Sequence, residues 1–493
     1  MIRPSRRWTS RLAALPLGLL LGATAVPLVY VLAHVSGDLS LESSSFGQTL
    51  VFAVGGAAIA TAAGGAIGML IGMRRFPGRS GLLALSIMPI AAPPAYWWIG
   101  ATRLMTALGS ASGPVPAAIV AGLALAPVTL LLVYAAMRQI PSNLYESARV
   151  ALPPTMRVFV VLLPLLCSAL LGGFILTVIL LLGESELPFL FGFRTVMTDI
   201  VTTFAQTFDV GRTVPVVVPL LMAILVMGAL AAPPLMRTVL ASSRGAHGVV
   251  PRRGSALLSL WAMAPAAGVV FAMFGYAWSL AGSPNGWPRV TIDLTTVGVS
   301  ILEPVGCAWI SLIVTIAAVY AVRRSRAMPA LLCIGLTLFC VPAAIYAIGW
   351  LGLGQVVGGF AVPPSVAHTS RGVALATLGF AVGYSRLPQS LEAAAALVHV
   401  SPMKRAFIFV LPLVKWPLAA TAALIAAVTY ADRDVASLLL PPGASRLTLN
   451  LYLASANAPS SITGALALIA ILGAAVTVAT AAMGPALLWR RRG

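Results

Sequence analysis

The sequence predicts an all-α polytopic membrane protein, and three observations predict it. Charged residues are only 9% of the 493 and apolar residues 59%, and the mean hydropathy of +0.98 is far outside the range of a soluble domain. About twelve apolar stretches approach the roughly 20 residues that a helix needs to cross hydrocarbon. Basic residues gather in alternate breaks between those stretches, the pattern of loops held on the cytoplasmic side.

In the first half the expected spans cover residues 12–35, 47–73, 80–107, 114–137, 158–183 and 213–236. In the second they cover 255–281, 295–321, 327–353, 368–385, 407–430 and 461–488. The first span follows Arg3, Arg6, Arg7 and Arg11 and is expected to remain as an uncleaved helix, because its removal would leave a span of the second half without a counterpart. The third spans share a device, Pro93-Pro94-Ala95-Tyr96 in one half and Pro342-Ala343-Ala344-Ile345-Tyr346 in the other, and these prolines predict a break or bend in each helix. Six spans per half with both termini cytoplasmic make the halves parallel repeats. The expected division is a first repeat over 1–241, a cytoplasmic linker over 242–255 and a second repeat over 256–493.

Between the fourth and fifth spans of each half lies a polar element. The first runs from Ile140-Pro141 through Leu144, Glu146 and Ala148 to Pro164, and the second from Leu387-Pro388 through Leu391, Glu392 and Ala394 to Pro412. Proline sets an extended start, and Glu and Ala then favour a helix, so a short amphipathic helix lying under the membrane is predicted in each loop. Past the fifth spans the acids repeat. Glu184 and Glu186 stand 20 and 22 residues after Pro164, and Asp432 and Asp434 stand 20 and 22 after Pro412. Matched offsets predict that these four carboxylates face one another near the outer mouth, either touching a solute along the translocation path or solvated and paired with Arg433. Glu303 lies inside the eighth span, where an ionised carboxylate must pair, face water or take up a proton. It is a further candidate for the translocation path, the alternative being a carboxylate at the interface that caps the Pro304 break.

Composition also excludes. The net charge of +19 comes from 31 basic residues scattered through the breaks, a topology signal and not a nucleic-acid surface. The four cysteines have no paired spacing, and His34, His247, His368 and His399 make no zinc pattern, so no metal site is assigned. No residues form a nucleophile and base set, and neither Lys404 nor Lys415 sits in a phosphate-binding loop. No catalytic residue is therefore assigned, and Tyr96, Trp97, Trp98, Tyr346 and Trp350 are read as packing or interface residues.

The stretch Leu387-Pro388-Gln389-Ser390-Leu391-Glu392-Ala393-Ala394, with Ser401-Pro402 and Leu411-Pro412, resembles the EAA loop of type I ABC importer permeases. Ile140-Pro141-Ser142-Asn143-Leu144-Tyr145-Glu146-Ser147-Ala148 with Leu163-Pro164 resembles a degenerate copy, and the duplicated layout with Ala436-Ser437-Leu438-Leu439-Leu440-Pro441-Pro442-Gly443 resembles the fused permeases of iron(III)-type importers. The resemblance implies coupling helices at about 138–160 and 386–407, with Glu146, Ser147, Ala148, Leu152, Glu392, Ala393, Ala394 and His399 contacting an ABC ATPase homodimer. Leu152 and His399 stand where the family has glycine. ATP and Mg would be bound by that partner, none by this chain. An extracytoplasmic solute-binding protein, alternating access and a multi-pass place in a bacterial inner membrane are implied as well. The implied cargo is iron(III), with thiamine, phosphonate or another small solute as alternatives. A secondary transporter of the major facilitator type also has twelve spans in parallel halves, and Gly72-Met73-Arg74-Arg75-Phe76-Pro77-Gly78-Arg79 is faintly similar to its loop but lacks the acid. A repeated Pro-Glu-Ala loop has no purpose in such a transporter.

Overall fold

The computed structural model describes residues 15–34, 43–75, 79, 81, 83, 88–107, 109, 112–241, 252–253, 274–282, 288, 292–322, 328–385, 387 and 406–488. The described chain is helical almost throughout. We label the helices α1 (Leu15–Ala33), α2 (Ser43–Met73), α3 (Met88–Ala91), α4 (Pro94–Ala107), α5 (Pro114–Met137), α6 (Ser142–Ala151), α7 (Leu163–Leu182), α8 (Glu186–Leu190), α9 (Val196–Thr207) and α10 (Val210–Ala241). Then follow α11 (Leu294–Val322), α12 (Met328–Cys340), α13 (Ala343–Val356), α14 (Pro364–Ser385), α15 (Leu411–Ala431), α16 (Asp434–Leu439), α17 (Leu447–Asn457) and α18 (Ser460–Leu488). Among the described residues the one β pairing is a two-residue parallel contact of Arg74–Arg75 with Arg252–Arg253.

Among the described residues eight helices are long and apolar enough to cross a membrane, or up to nine if the pair α12 and α13 is one span. The remaining expected spans differ for identifiable reasons. Residues 80–107 form no continuous helix, since α3 stops at Ala91 and α4 starts at Pro94. The span expected at 255–281 lies mostly outside the described residues, with 274–281 helical. Helix α14 is continuous, but His368, Ser370 and Arg371 lower its hydropathy.

The proline breaks form as the sequence predicts, and each is repaired in the same way. Helices α12 and α13 meet at 89° across Val341-Pro342. Tyr346 Oη donates to the Leu338 carbonyl at 3.1 Å, and Trp97 Nε1 donates to the Pro89 carbonyl at 3.2 Å. In both halves an aromatic donor on the second limb thus satisfies a carbonyl eight residues back, in a place where water is scarce.

Other details recur at matching places. A π-helical turn precedes α7 (Arg157–Leu162) and another precedes α15 (Ala406–Val410). The Val196 N–H donates to Thr49 Oγ1 at 3.0 Å, docking α9 on α2, and the Leu447 N–H donates to Ser300 Oγ at 3.0 Å, docking α17 on α11. Packing between α2 and α5 uses a stripe of small residues, Gly56, Ala60, Gly64, Gly68 and Gly72, which lets backbones approach. A Cβ on Gly64 would lie 2.2 Å from the Ala126 carbonyl oxygen, so only glycine fits there.

Candidate functional site

The fifth span of each half ends in a pair of acids and a short helix. Glu184 Oε1 accepts the N–H groups of Glu186 (2.8 Å) and Leu187 (3.2 Å) at the start of α8. Asp432 Oδ1 accepts the Val435 N–H (3.2 Å) at the start of α16. In each case the first acid of the pair meets the positive end of a short helix.

The two acid pairs meet across the halves. Ser185 Oγ donates to both oxygens of Asp434, at 2.7 and 2.8 Å. Arg433 donates from Nη2 to Ser185 Oγ (2.9 Å) and from Nε to Asp434 (3.2 Å), and lies 3.9 Å from Glu186. Its guanidinium sits 4.1 Å from the centre of the Tyr452 ring on α17. Glu186 in turn accepts the Ala95 N–H at 2.8 Å, at the start of α4. Arg371, on α14, is 3.8 Å from Asp432 and donates to the Phe339 carbonyl at 3.3 Å.

The charged members of this cluster line a cavity of about 460 Å³ between the halves. Its wall is mostly apolar, from Trp97, Leu125, Leu180, Phe339 and Leu424 among others, and Glu184, Glu186, Asp432, Asp434, Arg371 and Arg433 line it as well. Burial pushes the Glu186 carboxyl up to about 8, against the pull of Arg433. Burial, and then the charge of Asp434, push Glu184 up to about 7, and burial pushes Asp432 up to about 6. For Arg433 desolvation works against the charge, but Asp434 and Glu186 outweigh it and hold the guanidinium protonated. Among the described residues no three His, Cys, Asp or Glu side chains converge in a way that could hold a metal ion.

Glu303 is placed elsewhere. It does not line the cavity but pairs with Arg446, the residue before α17, whose Nη1 is 3.4 Å from His368 Nε2. The matching place in the first half is apolar. Three residues past Thr49 stands Phe52, edge-on to Phe193 with ring centres 5.6 Å apart, where three residues past Ser300 stands Glu303. Sequence reasoning missed Arg371, Arg446 and His368. The signal for Arg371 was present, an arginine inside an apolar stretch, which needs a partner.

The first polar loop contains α6. Glu146 pairs with Arg149 at 3.0 Å on an exposed face, Ser147 Oγ donates to the Asn143 carbonyl, and Ala148 is buried. Apolar side chains also face outward, Leu144 at 44% and Val150 at 91% exposure. Leu152 is extended (φ −130°, ψ 142°) ahead of Pro153-Pro154, so the chain breaks here without the glycine of the family pattern. Glu392, Ala393, Ala394 and His399 lie outside the described residues.

The fold and its charged central cavity define a multi-pass helical membrane protein with a solute-sized space between its halves. Residues 64–232 match the family model of binding-protein-dependent transport system inner membrane components, the type I ABC importer permease domain. No curated protein sequence and no solved structure gave a match.

Proposed function

We propose that the chain is the membrane subunit of an ATP-driven importer, built as two parallel six-span repeats with both termini in the cytoplasm of a bacterial inner membrane. The observation that carries this is the family match over residues 64–232, which takes in α6. The recurring details at the proline breaks, the π-helical turns and the docking of α9 and α17 support a duplicated architecture. Helix α6 supplies the contact to one subunit of an ATPase dimer through Glu146, Ser147 and the outward Leu144 and Val150. The loop around Glu392, Ala393, Ala394 and His399 supplies the other. ATP and Mg belong to that dimer. Its closure drives the halves to rock, which breaks the Ser185, Arg433 and Asp434 contacts and opens the cavity toward an external solute-binding protein.

For the cargo, the resemblance points to iron(III). Glu186, Asp432 and Asp434 are engaged with guanidinium groups and Glu184 with backbone N–H groups, so the cavity suits the alternatives, thiamine or another small organic solute, better than the bare ion. Val150→Asp tests the docking role, since a charge on a face buried against a partner costs binding. Purification of the tagged chain should bring the ATPase with it, identified by mass spectrometry, and Val150→Asp should lose most of it with an unchanged melting temperature. Equal recovery of the ATPase with the variant would remove α6 from the interface.

A further inference from the structure

Four carboxylates and two guanidinium groups line the cavity, so its charge is negative when all are ionised. The guanidinium groups are spoken for, Arg433 by Asp434 and Ser185 and Arg371 by Asp432. Glu184 differs from the other three acids. Among the described residues no guanidinium lies within ion-pair distance of it, and its one engaged oxygen accepts backbone N–H groups at the start of α8. Its carboxyl is pushed up to about 7, the mark of a buried acid short of a counter-ion. The rest of the cavity wall is largely apolar, and includes Leu180 in the last turn of α7, Trp97 and Phe339.

Each alternative solute leaves something unsatisfied. An anion would meet two guanidinium groups already neutralised and outnumbered by acids. A bare metal ion finds no three converging donors among the described residues. A highly hydroxylated solute would lose its hydrogen bonds to water against aliphatic side chains, and a neutral apolar one would bury Glu184 without compensation.

We propose that this cavity binds an organic cation, with its positive group against Glu184 and an apolar body along Leu180, Trp97 and Phe339. That the cation is cargo rests on the permease reading; that it binds does not. A volume of about 460 Å³ suits a small organic molecule and far exceeds what a single ion needs.

The test uses the purified full chain in lipid nanodiscs and radiolabelled benzyltrimethylammonium, at about pH 8.5, where the carboxylate is ionised. Saturable binding is expected. Glu184→Gln, which keeps the carbonyl oxygen that caps α8, should weaken it at least about tenfold. Leu180→Trp, which adds bulk to the cavity wall and leaves the charge, should weaken it comparably. The proposal is overturned by absence of saturable binding up to about 10 mM. It is also overturned by equal binding to both variants, or by displacement with iron(III) citrate or benzenesulfonate as effective as with the unlabelled cation. ATPase recovery is read separately. Cation binding without an ATPase keeps the site and discards the permease reading, and an ATPase without cation binding discards the site alone.

Discussion

Arg433→Met removes the group that holds the two halves together among the acids that line the cavity. The side chain is 5% exposed, donates to Ser185 and Asp434, faces Glu186 at 3.9 Å and lies under Tyr452. Methionine fills similar space, so the loss is electrostatic. Deleting one partner of a buried ion pair costs about 3–5 kcal/mol, because the remaining charge stays buried without compensation. The cost depends on pH with a definite sign. Glu184, Glu186 and Asp432 have carboxyl groups raised to about 7, 8 and 6, above the roughly 4 of an unfolded chain. The folded state therefore holds more protons than the unfolded state between those values, and stability present at low pH is lost as pH rises through them. Without Arg433 the acids repel more strongly, so the variant should lose most near pH 8.5 and least near pH 5.5, values that lie about at the two ends of that window. Thermal unfolding can be followed with a thiol-reactive dye, since Cys307 and Cys340 are free and buried while Cys167 is exposed and supplies the baseline. A fall in Tm of roughly 3–10 °C is expected at the higher pH, with partial recovery at the lower. An unchanged Tm, or the same fall at both pH values, would refute the argument.

The second ion pair gives an independent measurement. Glu303→Gln leaves Arg446, 4% exposed, without its counter-charge and should cost about 3–5 kcal/mol, whereas Glu303→Gln with Arg446→Met should cost less than the sum of the two single changes. Additive losses in that cycle would mean that the two side chains do not interact. Gly64→Ala should destabilise by about 1–3 kcal/mol through overpacking, because its Cβ would press on the Ala126 carbonyl, while Gly47→Ala, with nothing within 4 Å, should be neutral or better. Melting curves that rank the two alike would sink the account of the small-residue stripe.

Much of the helical layout was legible because hydrophobic length and proline position act locally. The bend at Pro342 and the break before Pro94 follow from a missing N–H and a ring clash, which need no knowledge of neighbours. The matched spacing of acids past Pro164 and Pro412 was legible for a similar reason, since equal helix lengths bring equal residues to the same end of the bundle. The contacts themselves were not. The bond from Ser185 to Asp434 joins residues 249 apart, and the pairing of Glu303 with Arg446 spans 143, so both depend on how helices rotate and pack. Glu303 was read as a candidate for the translocation path that must pair, face water or take up a proton; it pairs with Arg446 and is not among the residues that line the cavity.

By itself the sequence determined that this chain is a helical membrane protein with paired loops, paired proline breaks and paired acids, because apolar length, proline geometry and charge placement are properties of residues and their near neighbours. Only the tertiary structure decided which acids are neutralised. Coulomb attraction falls with distance and grows in a dry interior, so the partner of a buried charge is whichever opposite charge packing brings close. For Asp434 and Glu186 that partner is Arg433, for Asp432 it is Arg371, and Glu184 is left facing the cavity with none among the described residues.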